Sequence, residues 1–230
     1  MTALVRMRLV AFIRSGRVLA PLMCVLVVLL VIYGGGAAQV GEAYGFSSAV
    51  LFPILAWQTK LLLDVEPDTQ RHLAIVAVGS RHREWFAGIV AAALAALAGS
   101  AFTIGVPWLV GGVTGPQRPD DPPFAAGFVA GVWAVIALIP PALALGALAS
   151  RAVTRDTARG LMVLVGGSIA AYPLGITSSP VWWLVPPVLR VGRSAVHGLA
   201  GATMAGYTVH ALLWTAVALA GYSWLRRARS

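Results

Sequence analysis

Two residues of this chain have the types that an acyl-transfer site needs. Ser168, in the run Gly166-Gly167-Ser168-Ile169-Ala170, could act as a nucleophile and His210 as its base. Such a serine reacts only with a base in hydrogen-bond reach. Other chemistry-bearing residues are scattered. Histidines stand at 72, 82, 197 and 210, no His-Glu-x-x-His run occurs, and Cys24 is the single cysteine. One cysteine allows neither an internal disulfide nor a thiolate metal site. No G-x-x-x-x-G-K-[ST] phosphate loop is present, and the only lysine, Lys60, follows Gln58-Thr59 in an apolar segment. No cofactor is therefore expected in this chain.

The elements that must position these residues are apolar. The chain has 230 residues, 59 % hydrophobic and 11 % charged, with a mean hydropathy of +0.83. Soluble domains carry about 25 % charged residues. Uncharged runs cover 18–41, 85–117, 122–150, 160–189 and 194–225, and 43–63 is broken only by Lys60. About 20 apolar residues cross the ~30 Å hydrocarbon core as a helix, and a lipid-embedded backbone must bond to itself. The reading is a single all-α, polytopic membrane domain over 1–230. Its six spans lie near 18–38, 43–63, 85–110, 124–149, 160–178 and 201–225. The arginines before the first run resemble the start of a signal peptide. That run is longer than a signal core, so an uncleaved first span is expected.

The net charge of +9 is not a nucleic-acid signal, because the cations sit at helix ends. With six crossings, fourteen of the seventeen basic residues fall on the side of the termini. Only Arg118, Arg190 and Arg193 fall opposite. The positive-inside rule then puts both termini in the cytoplasm. Trp108, Trp182 and Trp183 fall near the outer boundary; Trp57, Trp85 and Trp224 fall near the inner one. Such aromatic belts, and arginines at lipid headgroups, are ordinary for a cytoplasmic-membrane protein.

Four segments are not simple spans or turns. In 2–17, Val5, Leu9, Phe12 and Ile13 share one helical face and Arg6, Arg14 and Arg17 another. This predicts an amphipathic helix on the cytoplasmic surface, ahead of a turn inward at Pro21. In 64–84, Pro67 suits a first helical turn, with Glu66 and Asp68 at its positive end. A short transverse helix is predicted over 68–78, ended by a left-handed Gly79. Ser80 should cap the next helix, beginning at Arg81. The third segment, 150–159, is a second cytoplasmic loop carrying Arg151, Arg155 and Asp156. The fourth, 178–200, is broken by Pro180, Pro186 and Pro187, and is expected to re-enter from the outer side without crossing.

This order resembles the permease subunit of ABC transporters of the ABC-2 (type V) class, over the whole chain. In that family the loop after the second span carries a coupling helix that docks on a nucleotide-binding subunit. The matching residues here are Glu66, Thr69, Leu73, Val76, Gly79, Ser80, Arg81, Glu84 and Gly88, and Asp68 and Arg71 of the same loop are expected to join them in coupling to the ATPase. Gln70-Arg71-His72 departs from the aliphatic run common there. The resemblance implies an ATP-driven exporter of a lipid-like, amphipathic, drug or peptide cargo. ATP and Mg would be held on two copies of a partner ATPase, and the permease would pair with a second copy or a sister chain. The Arg-over-Lys, Ala-rich composition fits a GC-rich bacterial genome.

Two other classes share parts of this pattern. Six spans with Ser168 and His210 resemble rhomboid-type intramembrane proteases, but the glycine that follows the serine in that motif is missing. The alternative roles are a packing contact or pathway position for Ser168 and, for His210, a helix–helix hydrogen bond or a substrate or proton site. Glu42 is either solvated or an outer-gate partner of Arg190 or Arg193. A non-transporting assembly factor would need the same spans but no partner ATPase. Gly127-x-x-x-Gly131 allows a close helix contact.

Overall fold

Proline and glycine set most helix ends in the computed structural model, which describes residues 1–176, 179–198 and 201–228. The chain is 78 % helical. It opens with α1 (Thr2–Arg14) and α2 (Leu19–Tyr33), bent 70° from each other. Gly16 makes the elbow at φ 71°, a conformation that costs a glycine little. Next come β1 (Ala38–Gln39), α3 (Val40–Leu63), α4 (Asp68–Val78), α5 (Arg81–Leu109) and β2 (Val113–Thr114). Then follow α6 (Phe124–Ala137), α7 (Ile139–Leu148), α8 (Arg151–Thr154) and α9 (Thr157–Ala171). A 3-10 turn at Trp182–Leu184, α10 (Val188–Val196) and α11 (Gly201–Ala228) complete the fold.

Among the described residues, four helical stretches are long and apolar enough to cross a membrane: α3, α5, the α6–α8 stretch and α11. The bent α1–α2 pair makes a fifth if counted as one span. This is a helical membrane protein. Two expected spans are shorter than the sequence implied. Instead of running over 18–38, α2 stops at Tyr33, where Gly34, Gly35 and Gly36 follow. Instead of 160–178, α9 covers Thr157–Ala171, because Pro173 cannot continue the helical ladder. Residues 177 and 178 of that expected span lie outside the described residues. Fifteen residues rise only ~22 Å as a helix.

The core is built around α3. In its apolar window 67 % of residues are buried, as in the α6–α8 stretch, against 17 % for α11, which is the flank. Close approach on α3 depends on missing side chains. A methyl on Gly131 would stand 2.7 Å from the Tyr44 ring, and one on Gly127 would stand 2.9 Å from Val40. At the same end, a methyl on Gly45 would stand 2.3 Å from the Gly192 carbonyl oxygen, and one on Gly41 would stand 2.4 Å from that of Ala195. Backbone thus meets backbone where α10 lies on the first turns of α3. Pro186-Pro187 separate α10 from the 3-10 turn, so no continuous helix runs through 180–198. Parallel pairing of β1 with β2 (Ala38 with Val113, Gln39 with Thr114) ties the start of α3 to the end of α5. Tyr44 donates to the Ile104 carbonyl at 2.8 Å and accepts from Trp108 Nε1 at 2.6 Å, which closes that end.

Candidate functional site

At the other end of α3 lie two buried charge clusters, in which the connector residues Asp64 and Glu66 meet side chains from several helices. The first centres on Arg8, which turns inward from α1 and is only 5 % exposed. Its Nε and Nη2 donate to Glu66 Oε1 and Oε2 at 3.1 and 2.9 Å, a bidentate fork. Its Nη1 donates to the Glu84 carbonyl oxygen at 3.0 Å, and Nη2 also reaches Glu84 Oε1. Glu84 Oε2 accepts in turn from Arg226 near the end of α11. Gly88, one turn beyond Glu84, leaves the space: a methyl there would stand 2.3 Å from Arg8 Nη1. Two cations and two anions neutralise one another across α1, the 64–67 connector, α5 and α11.

Asp64 holds the second cluster. Its Oδ2 accepts from Lys60 Nζ at 2.7 Å, one helical turn back. Its Oδ1 accepts the backbone N–H of Arg151 at 2.8 Å. The Asp64 carbonyl oxygen accepts from Arg17 at 2.8 Å and Arg151 at 2.9 Å. Residue 64 therefore joins the α1–α2 elbow to the loop at 150–159. In that loop Arg155 takes φ 61°, and Asp156 caps α9 by accepting the Ala158 N–H at 3.1 Å; both are exposed.

Above these clusters sits α4. Its start at Pro67 directly follows Glu66, so the Arg8 fork anchors its base. Gly79 closes it in the left-handed region (φ 69°). Ser80 then caps α5, accepting the Arg83 N–H at 3.4 Å. The outward face of α4 presents Thr69, Gln70, Leu73 and Val76, the last two 69 % and 79 % exposed. Arg71 is half-buried and Arg81 exposed. The side chains of Asp68 and His72 lie outside the described residues.

Several expected roles change. The coupling pattern puts Glu66 and Glu84 on a docking surface, but burial and ion pairing take both inside the fold. Arg8, by sequence one of the topology-setting arginines, holds the N-terminal helix to the bundle. The inward face of α1 is Leu4, Arg8 and Phe12, while Ile13, assigned to the apolar face, is 62 % exposed. Glu42 is exposed and, among the described residues, pairs with neither Arg190 nor Arg193. Among the described residues, the buried Ser168 hydroxyl finds no partner, and neither do the two ring nitrogens of His210. The two do not bond to each other. His210 instead stands edge-on to Trp182, with ring centroids 5.3 Å apart.

Among the described residues no group of three His, Cys, Asp or Glu is placed to hold a metal. The two clusters are mechanical in character: they tie α1, α3, α5, α11 and the loop at 150–159 to the 64–67 connector. No family model matches this chain, and no curated protein or solved structure matches it either.

Proposed function

We propose that this chain is the membrane-spanning subunit of an ATP-driven exporter of the ABC-2 type, powered by a separate ATPase that docks on α4. One observation carries the reading. A short helix exposes two large aliphatic side chains away from the bundle while its base is pinned to three other segments by buried charge. Burying one such side chain contributes about 1.5–3 kcal/mol, and desolvated apolar anchors dominate interfaces. The pinned base gives a docked partner a rigid route to α1, α5 and α11.

In this reading both termini are cytoplasmic and α1 lies along the inner surface. The spans are α2, α3, α5, the α6–α8 stretch, α9 with the residues after it, and α11. Two permease chains, identical or sister, work with two ATPase copies. The cargo is lipid-like or amphipathic, in keeping with Gly- and Ala-rich spans whose interiors lack acidic residues; Glu42 and Glu84 sit in first turns. No observation favours an intramembrane hydrolase, since Ser168 and His210 find no partner among the described residues.

The test is a tagged chain purified from its bacterial membrane. Wild type should bring down an ATPase whose hydrolysis responds to cargo. Leu73→Asp or Val76→Asp should lose it, with insertion and thermal stability unchanged because both side chains point outward. Retention of the ATPase by both variants rules out docking on α4.

A further inference from the structure

At the end of the bundle far from Asp64, α10 and α11 flank a cavity of about 250 Å3. Arg190, Arg193, Ser194 and His197 line it from α10 and its C-cap, Thr203 and Tyr207 from α11. Each of these side chains can donate a hydrogen bond, and no carboxylate lines the cavity. The facing loop does bring acids near, because Pro122 packs on Gly198. Its Asp121, however, already accepts the backbone N–H groups of Gln117 and Arg118 at 2.7 and 2.9 Å. The two arginine positions are one turn apart on one face, on a helix whose backbone rests against α3.

Arg190 is preorganised. Its guanidinium lies 3.9 Å above the Trp182 ring, which fixes its plane, and its buried Nε has no partner among the described residues. A planar guanidinium matches a phosphate oxygen pair far better than a point charge does. The volume corresponds to roughly eight waters at ~30 Å3 each. That is below the ~300–1,000 Å3 of pockets that take drug-sized molecules. It suits a polar headgroup and not a whole amphiphile. Beside it, Trp183 and Leu184 are 59 % and 52 % exposed, an apolar ledge where a chain attached to that headgroup can lie.

We infer that the groove between α10 and α11 binds a phosphate group, held by Arg190 and Arg193 with the Thr203 and Tyr207 hydroxyls as further donors. The phosphate is either a phospholipid headgroup or a free ion. The inference rests on this groove alone and holds whether or not an ATPase docks on α4.

The experiment titrates the delipidated full chain, in neutral detergent, with dioleoyl phosphatidic acid and with dioleoylglycerol, the same lipid without phosphate. Wild type should bind the phosphatidic acid and not the diacylglycerol. Arg190→Gln and Arg193→Gln should each weaken binding by about tenfold or more, the loss of one charge-assisted hydrogen bond. Arg193 is exposed, so its variant keeps the fold and the melting temperature. Competition by millimolar inorganic phosphate identifies the free ion as a sufficient ligand. Binding that ignores inorganic phosphate yet needs both arginines identifies a lipid headgroup. Equal binding of the two lipids, or unchanged binding in both variants, overturns the inference.

Discussion

Arg8 and Glu84, 76 positions apart, share a buried ion pair in which the same guanidinium also grips the Glu84 carbonyl oxygen at 3.0 Å. The N-terminal helix is thereby part of the bundle as well as a candidate for the membrane surface. An arginine that reaches a side chain and a backbone oxygen of one residue fixes the start of α5 in both position and rotation.

Removing one partner of a buried pair leaves an uncompensated charge, at about 3–5 kcal/mol. Arg8→Gln should therefore lower the melting temperature of the detergent-solubilised chain sharply. Glu84→Gln should cost more than Glu66→Gln, because Glu84 is shared by Arg8 and Arg226 while Glu66 pairs with Arg8. Equal melting temperatures for all three variants and wild type would show that the cluster contributes nothing.

Gly88→Ala should imitate Arg8→Gln, since the new methyl occupies the place of a guanidinium that is pinned on several sides and cannot yield. Gly105→Ala, where a methyl would meet nothing within 4 Å, is the matched control. Its helix propensity gain of about 1 kcal/mol should raise stability slightly. A harmless Gly88→Ala would contradict the geometry.

Gly45→Ala should push α10 off α3, because the obstacle is the Gly192 backbone and not a movable side chain. The readout is proteolysis: the chain should become cleavable near Arg190 and Arg193 in intact, membrane-embedded protein. Protection equal to wild type would mean that α10 is held elsewhere.

Orientation is checked with an impermeant thiol reagent on intact cells, in a Cys24→Ser background. Asp120→Cys should label and Arg6→Cys should not. Labelling of Arg6→Cys from outside would defeat the cytoplasmic placement of the termini.

The Asp121 carboxyl is held below the usual carboxylate range by the backbone N–H groups of Gln117 and Arg118. A lowered folded pKa contributes stability above the unfolded value, lost as pH falls through the folded value. The two amides should thus stay protected from exchange through the ordinary carboxylate range and open only below it. Asp121→Asn should remove that pH dependence. A midpoint at the ordinary carboxylate value would refute the lowered pKa.

The apolar stretches were legible because twenty consecutive apolar residues have few other uses, and the α4 boundaries because Pro67, Gly79 and Ser80 are strong local signals. The ends of α2 and α9 were not, since Gly34-Gly35-Gly36 and Tyr172-Pro173 are as apolar as the spans they terminate. Arg8 was hidden for a different reason. Its partners lie 58 and 76 positions away, and among so many helix-end arginines nothing marks the one that turns inward. The readable clue was the scarcity of acids: Glu66 and Glu84 sit among many cations and at apolar boundaries, where a carboxylate needs a dedicated partner. Gly41 and Gly45, four apart, are likewise inconspicuous in a chain so rich in glycine, although both meet α10 backbone.

Lys60 carries the chain's sole side-chain amine, and Asp64 keeps it 6 % exposed. Acylating dyes and amine cross-linkers thus find no side chain to react with while the protein is folded. The moment the loop at 150–159 parts from α3, one such handle is uncovered. The extent of Lys60 acylation then counts, molecule by molecule, how often this end of the bundle opens, without any engineered label.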